Sequence, residues 1–492
     1  EKPTATGLRS TSLLSFIALL ATDAAQAQIS AGQYNSFFIC GDSTVNGWGD
    51  NSFGALGNNS TQESWTPVQT AGLTGIVAIS DGKENHALAL TSDGTVWSWG
   101  ANSYGQLGDG STSSSPVPIQ AGTTGNATAI SAGGFHSLAL MDDSTVWAWG
   151  YNYYGQLGDG STADSPTPVQ VNNLDSVVAI AAGWGYSLAL RADSTVWAWG
   201  RGIEGSLGNG GNADSYVPVQ VSGITGITAI SASRGPSMAL ASDSTVWCWG
   251  DGTYGQLGNG TSVGSNVPVQ VSGITQAVAI GAGFVFAAAL LNDGSVWTWG
   301  RNFTGVLGNG TNTDSNVPVE ALVPTGIVAI SAGHDHCMAL RNDGSVWCWG
   351  WSVHGQLGDG FNQDRNLPVP VVSLCLGANA IAGSAAVPTL STYPDPTTGP
   401  FTIALPGSTF DLKLLDLSGR TVLLRTAING QAQLDISSLP AGAYALRVFT
   451  REDVQRRDEA EVGQRGGAQV LDDAALQRDA AGQRAAQVIQ AI

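Results

Sequence analysis

Lysine is almost missing from this sequence: Lys2, Lys83 and Lys413 are the only three in 492 residues. Lys and Arg together number 19 against 38 Asp and Glu, a formal net charge of −19. A nucleic-acid partner needs clustered cations that displace counterions, so this surface excludes one. Charged residues amount to only 12 %, which argues against long solvated helices. No segment has the length of a transmembrane helix; the longest apolar stretch, Ser12 to Ala21, is too short. The five cysteines, Cys40, Cys248, Cys337, Cys348 and Cys375, are odd in number and irregularly spaced without a CxxC pair, so they give no zinc site. A disulfide is permitted but not assigned. There is no P-loop, HExxH or nucleophile elbow, and the sequence asks for no cofactor.

Glycine and tryptophan are abundant, at 66 and 16 residues. That balance fits many tight turns between strands packed by aromatic rings. Residues 1–27 read as a signal peptide: Lys2 and Arg9, the short apolar run, then Ala25-Gln26-Ala27 with small residues at the cleavage positions.

Self-similarity dominates the remainder. A Trp-Gly pair recurs at Trp48, Trp99, Trp149, Trp199, Trp249, Trp299 and Trp349, at intervals of 50 residues from Trp99 onward. In one copy, Ile130 to Gly133 ends a short strand and His136 to Leu140 forms a second. Asp143-Ser144 turns the chain, and Thr145 to Trp149 forms a third strand. Tyr154 to Gly160 is a glycine-fixed loop, and Pro168 to Val171 is an outer strand. We expect each copy to be a four-stranded antiparallel sheet with one bulky face, carrying both Trp and Leu, and one small face. Stacked radially, bulky faces would pack on small ones. Seven copies predict a closed seven-bladed β-propeller over residues 28–378. Either Gln28-Ile29-Ser30 or the strand from Pro368 to Leu376 is expected to join the first and last units. Cys248 and Cys348 occupy a position held elsewhere by Ser98, Ala148, Ala198 and Thr298, and read as small packing residues.

The "ISAGxxHSLAL" half, at Ile130 to Leu140, and the "DGTVWxWGxNxYGQLGDG" half, at Asp93 to Gly110, resemble regulator-of-chromosome-condensation repeats. A WD repeat is excluded by the longer period and the lack of a terminal Trp-Asp. The resemblance implies a propeller. The founding member of that family is a nucleotide-exchange factor for a small GTPase and binds chromatin; that activity does not carry over by fold alone.

The repeats stop at Ala378. Residues 379–391 read as a linker, and residues 392–450 as short alternating strands of a small β-sandwich. The motifs at Tyr393 to Ile403, Leu412 to Val422 and Leu434 to Val448 are similar to the C-terminal sorting domain of bacterial type IX secretion. This implies handling by that machinery and release to, or attachment at, the outer surface. Residues 451–492 form an atypical polar tail, either solvated or a frame-shifted gene end that replaced the last strand.

Functional residues are sought where copies differ. Between the Ala-Gly turn and the second strand lie Tyr34, Lys83-Glu84, Phe135, Trp184, Arg234, Phe284 and His334-Asp335; after the Trp-Gly pair lie Asn102, Tyr151-Asn152, Arg201, Asp251, Arg301 and Trp351. Each set should occupy one rim. Varying loops on a fixed scaffold are where recognition is placed. The ligand-binding candidates are Phe135, Trp184, Arg234, Phe284, His334, Asp335 and Trp351. His334-Asp335-His336 resembles a metal pair, but His336 falls at the repeat position of His86 and His136 and reads as structural, so no metal is assigned. The recurrent aspartates Asp42 to Asp343 read as hairpin residues. The expected function is an exported binding protein with an extracellular protein or glycan ligand. An extracellular polymer-acting enzyme and a guanine-nucleotide exchange factor are the alternatives; no acidic pair outside hairpins favours the former.

Overall fold

The computed structural model describes residues 28–375 except 124, and the strand backbones at 391–393, 401–415, 421–434, 442–450 and 487–491. The signal-peptide segment and the linker up to residue 390 lie outside the described residues. Two compact units divide the chain near residue 379.

The first unit is a ring of seven four-stranded antiparallel sheets, each built from four consecutive strands. In the third blade these are Ala127–Ala132, His136–Met141, Val146–Gly150 and Ser165–Gln170, from the channel outward. Asp143 makes the hairpin as expected: its Oδ1 accepts from the Thr145 N–H at 3.0 Å and the Thr145 hydroxyl at 2.6 Å. The same pattern recurs at Asp42, Asp93, Asp193, Asp243, Asp293 and Asp343. At Asp143 these hydrogen bonds, led by the Thr145 hydroxyl, hold the carboxyl below its ordinary range.

The register corrects the expected division into a bulky and a small face. Across the hairpin Leu138 pairs with Ala148, while Ala139 pairs with Trp147 and Ser137 with Trp149. Directly paired residues share a face. Leucine and tryptophan therefore lie on opposite faces, each beside small residues. Leu138, Leu140, Val146 and Ala148 of the third blade pack on Ala189 and Trp199 of the fourth. Leucine face meets tryptophan face around the ring, and Cys248 and Cys348 fill the small slots.

All seven Trp-Gly tryptophans are fully buried. Each indole N–H donates to a carbonyl of the preceding blade, as from Trp199 to Gln156 O at 2.9 Å and from Trp48 to Gln356 O at 2.9 Å. The glycine after each tryptophan is required: Gly150 has φ 103°, and a Cβ there would stand 2.5 Å from the Phe135 carbonyl.

His86, His136 and His336 join neighbouring blades through Nε2 to the hydroxyls of Ser137, Ser187 and Ser36, at 3.1, 3.0 and 2.8 Å. Each serine spends its one proton on a carbonyl, Gln106, Gln156 or Gln356. The imidazole must then donate from Nε2, leaving a bare Nδ1, which has no partner among the described residues at any of the three. Burial lowers their pKa values to about 4 for His86 and about 3 for His136 and His336.

Ring closure differs from the expectation. Ile29–Ala31 pairs within the first blade and Arg365–Pro370 within the seventh, so neither strand crosses. The repeat is phased so that each blade is complete in itself. The ends are joined by Ala31 N to Ser331 Oγ at 3.0 Å, by the Trp48 and His336 bonds, and by a Cys40–Cys375 disulfide spanning 335 residues. Cys248, Cys337 and Cys348 are buried thiols.

In the second unit the described strands form one five-stranded sheet. Only this one layer of the expected sandwich is present among the described residues. Gln487–Ala491, within the segment expected to be tail, pairs with Gly442–Thr450.

Candidate functional site

The first strands of the blades line a central channel, a cavity of about 250 Å³ walled mostly by Ala and Ser. The second blade departs from this with Asp81, where the six others carry Ala. Burial raises the Asp81 carboxyl well above its ordinary range, and lowers the nearby Lys83 ammonium.

The turns between first and second strands form one mouth of this channel, and the loops after the Trp-Gly pairs reach the same mouth. The two variable sets thus share a face. All seven candidate residues connect there in one arc. Phe135 lies edge-on to Trp184 with centroids 5.8 Å apart. The Arg234 guanidinium sits between Trp184, at 5.1 Å, and Phe284, at 4.8 Å. Phe284 stacks on His334 at 3.9 Å, and His334 Nδ1 meets Asp335 Oδ2 at 2.7 Å. Trp351 is 6.3 Å from His334 and 5.3 Å from Tyr34. Glu84 reaches past the side-chain-free Gly134 to accept from the Trp184 indole at 3.0 Å.

Some positions behave otherwise. Asn102 and Asn152 are fully buried loop staples, not rim residues: Asn102 donates to Ser113 O and its Oδ1 accepts from Leu107 N. His334 and His336 diverge, one into the arc and one between blades. Among the described residues no group of three or more His, Cys, Asp or Glu could hold a metal ion. Gly260-Thr-Ser-Val-Gly264 has the spacing of a nucleophile elbow, but Ser262 is an exposed loop residue between two strands, with no helix following it.

Sequence reasoning missed one contributing position. The residue before the loop glycine is Phe53, Tyr104, Tyr154, Glu204, Tyr254, Thr304 or His354 in successive blades. Tyr104 reaches Phe135 at 5.3 Å and His354 reaches Tyr34 at 5.1 Å. The glycines around these side chains give the loop a fixed appearance in sequence, and the variation between copies at this one position is the signal that marks it.

The described propeller has few cations. Arg191, Arg341 and Arg365 pair with Asp175, Asp343 and Asp359, and Lys83 faces Asp81. The remaining three, Arg201, Arg234 and Arg301, line one pocket of about 200 Å³ at the mouth, with Glu204, Asp251, Tyr254 and Phe284.

A family model for the RCC1-like domain matches residues 115–387, more than half of the chain. The chain belongs to this family. Models of the regulator of chromosome condensation (RCC1) repeat also match residues 42–90 and 76–106. A secretion system C-terminal sorting domain matches residues 391–457, which makes this RCC1-like protein a bacterial secreted or outer-membrane surface protein. Among curated relatives, the probable E3 ubiquitin-protein ligase HERC4 of Homo sapiens is 42 % identical over 88 residues, 18 % of this chain and 8 % of that protein. The ultraviolet-B receptor UVR8 of Arabidopsis thaliana is 45 % identical over 76 residues, 15 % of this chain and 16 % of that one. The shared segments are thus small parts of both relatives. Among solved structures, human WBSCR16 has a TM-score of 0.61 at 25 % identity, covering 67 % of this chain and 93 % of its own. Prp20p of Saccharomyces cerevisiae, described with its binding to Gsp1p and histones, has a TM-score of 0.61 at 22 % identity, covering 72 % and 90 %, and shares the fold. Among the described residues no helix is long and apolar enough to cross a membrane.

Proposed function

We propose that this RCC1-like propeller is an exported binding protein whose ligand, an extracellular glycan or protein, docks on the channel-mouth face. The observation that carries this reading is the continuous aromatic and cationic arc from Phe135 through Trp184, Arg234, Phe284 and His334 to Trp351. Scaffold positions repeat from blade to blade, whereas these differ and adjoin. Aromatic rings held by neighbours offer large contact area at small entropic cost. The test is a glycan and protein array probed with the full chain and with a Trp184→Ala/Phe284→Ala variant. A ligand retained by the parent and lost by a folded double variant supports the reading. Equal binding by both refutes the assignment of the face, and accelerated guanine-nucleotide release from a small GTPase would make the function an exchange factor.

A polymer-acting enzyme is the second reading, and one observation favours it: Glu204 and Asp251, far from any hairpin aspartate, line the same pocket. Product formation from a bound polysaccharide, abolished by Glu204→Gln, would establish that reading. Binding without turnover returns the binding protein.

A further inference from the structure

The mouth pocket between the fourth, fifth and sixth blades has a specific chemistry. Arg201, Arg234 and Arg301 stand around about 200 Å³ in a chain where acids outnumber bases two to one. None of the three guanidinium groups forms an ion pair or hydrogen bond among the described residues, although those of Arg191, Arg341 and Arg365 all find carboxylates. Each instead lies over aromatic rings: Arg201 over Tyr154 and Trp184 at 5.7 and 5.6 Å, and Arg301 over Tyr254 and Phe303 at 5.1 and 5.7 Å, with Arg234 placed as above. These ring contacts hold the guanidinium groups in place and leave their N–H groups without protein acceptors among the described residues. Three like charges so gathered repel one another until an anion joins them.

The wall also carries two carboxylates, which restrict the anion. Asp251 Oδ1 accepts from the Thr253 N–H and hydroxyl, and Oδ2 from Gln256 at 2.9 Å, leaving acceptor capacity on one oxygen. Glu204 is exposed, and its carboxylate has no hydrogen-bond partner among the described residues. Ionised carboxylates only accept, so a ligand entering beside them must bring donors along with its negative charge. A polyhydroxylated acid does so. The side chains of an acidic peptide bring carboxylates with no hydroxyl donors beside them, and inorganic sulfate brings no donors.

We propose that this pocket binds a carboxylate-bearing sugar residue of an acidic polysaccharide. The sugar carboxylate sits on the arginine forks, and its hydroxyls donate to Glu204 and Asp251. This rests on the binding-protein reading and names the ligand class for that face.

The experiment is titration calorimetry of the full chain at low salt with oligogalacturonate. Its methyl ester, polyglutamate and sulfate are the comparison probes, and Arg234→Gln and Arg301→Gln the variants. Oligogalacturonate should bind, and the neutral ester should bind at least about tenfold more weakly, a loss of ~1.4 kcal/mol. Each variant should lose about the same factor, and polyglutamate and sulfate should not saturate. The ester comparison uses the unaltered protein, so misfolding of a variant cannot mimic it. Absence of oligogalacturonate binding, equal binding of the ester, equal binding of polyglutamate, or folded variants with unchanged affinity would each overturn the proposal. A different ligand that needs Trp184 and Phe284 but not the arginines would overturn it while leaving the binding face in place.

Discussion

Replacing Trp199 by alanine tests the packing of the ring where it is most concentrated. Trp199 is fully buried against Leu138, Leu140 and Leu157 of the preceding blade, and its indole N–H donates to Gln156 O. A buried tryptophan removes about 150–250 Å² from water, or about 4–6 kcal/mol at 25 cal/mol per Å², an upper bound because the unfolded chain already shields part of it. The Gln156 carbonyl also accepts from Ser187, so losing the indole does not orphan it, and the hydrogen-bond loss stays near ~1 kcal/mol. Measured truncations of buried aromatics centre on about 3–5 kcal/mol, and we expect Trp199→Ala to fall there. Trp199→Phe retains most of the area and should lose ~1–2 kcal/mol. Trp351→Ala, at the half-buried rim, should lose less than about 1 kcal/mol. Equilibrium urea unfolding followed by tryptophan fluorescence measures all three. Equal losses for Trp199→Ala and Trp351→Ala would refute the packing described.

Acid should weaken the ring before it protonates the hairpin aspartates. His86, His136 and His336 titrate at about 4, 3 and 3 when folded, below the unfolded value of 6.5, so the unfolded chain binds more protons between these limits and stability falls as pH falls. At pH 5 the loss is roughly 2 kcal/mol for each imidazole; buried Asp81, raised rather than lowered, works in the opposite direction and returns part of it. Urea midpoints that stay flat from pH 7 to pH 5 would contradict the buried neutral imidazoles. Reducing the Cys40–Cys375 bridge, or Cys375→Ser, should cost about 2–5 kcal/mol, seen as a lower melting temperature; an unchanged one would mean that blade packing alone closes the ring. Gly158→Ala should destabilise by more than about 1 kcal/mol, because φ is 69° and the new Cβ would stand 2.7 Å from Trp199 Nε1. A neutral effect in thermal unfolding would contradict that geometry.

The blade count was legible because a 50-residue period with Trp-Gly and Asp-hairpin markers fixes both the number and the order of strands. The faces were not. Alternation along His136 to Leu140 and along Val146 to Trp149 shows which residues share a side within each strand, but only the register across Asp143-Ser144 shows that Leu138 lies with Ala148 rather than with Trp147. The Cys40–Cys375 pair was hidden because its partners are distant in sequence and meet only when the first and last blades do. The rim residues were found by variation between copies, and all seven adjoin. The same criterion applied to the loop position of Tyr104, Tyr154 and Glu204 would have completed the mouth. Asn102 misled because its staple role depends on carbonyls around it, which sequence does not place.

The central claim is that the channel mouth, and not the opposite face, binds the ligand. The most direct test compares the affinity of the strongest array ligand for three proteins: the parent, Trp184→Ala/Phe284→Ala, and Leu322→Ser, an exposed apolar residue on the opposite face, 61 % accessible. Our account predicts at least about tenfold weaker binding for the mouth variant and parental affinity for Leu322→Ser, each loss of 1.4 kcal/mol being tenfold. Parental affinity in the mouth variant with loss in Leu322→Ser would contradict it.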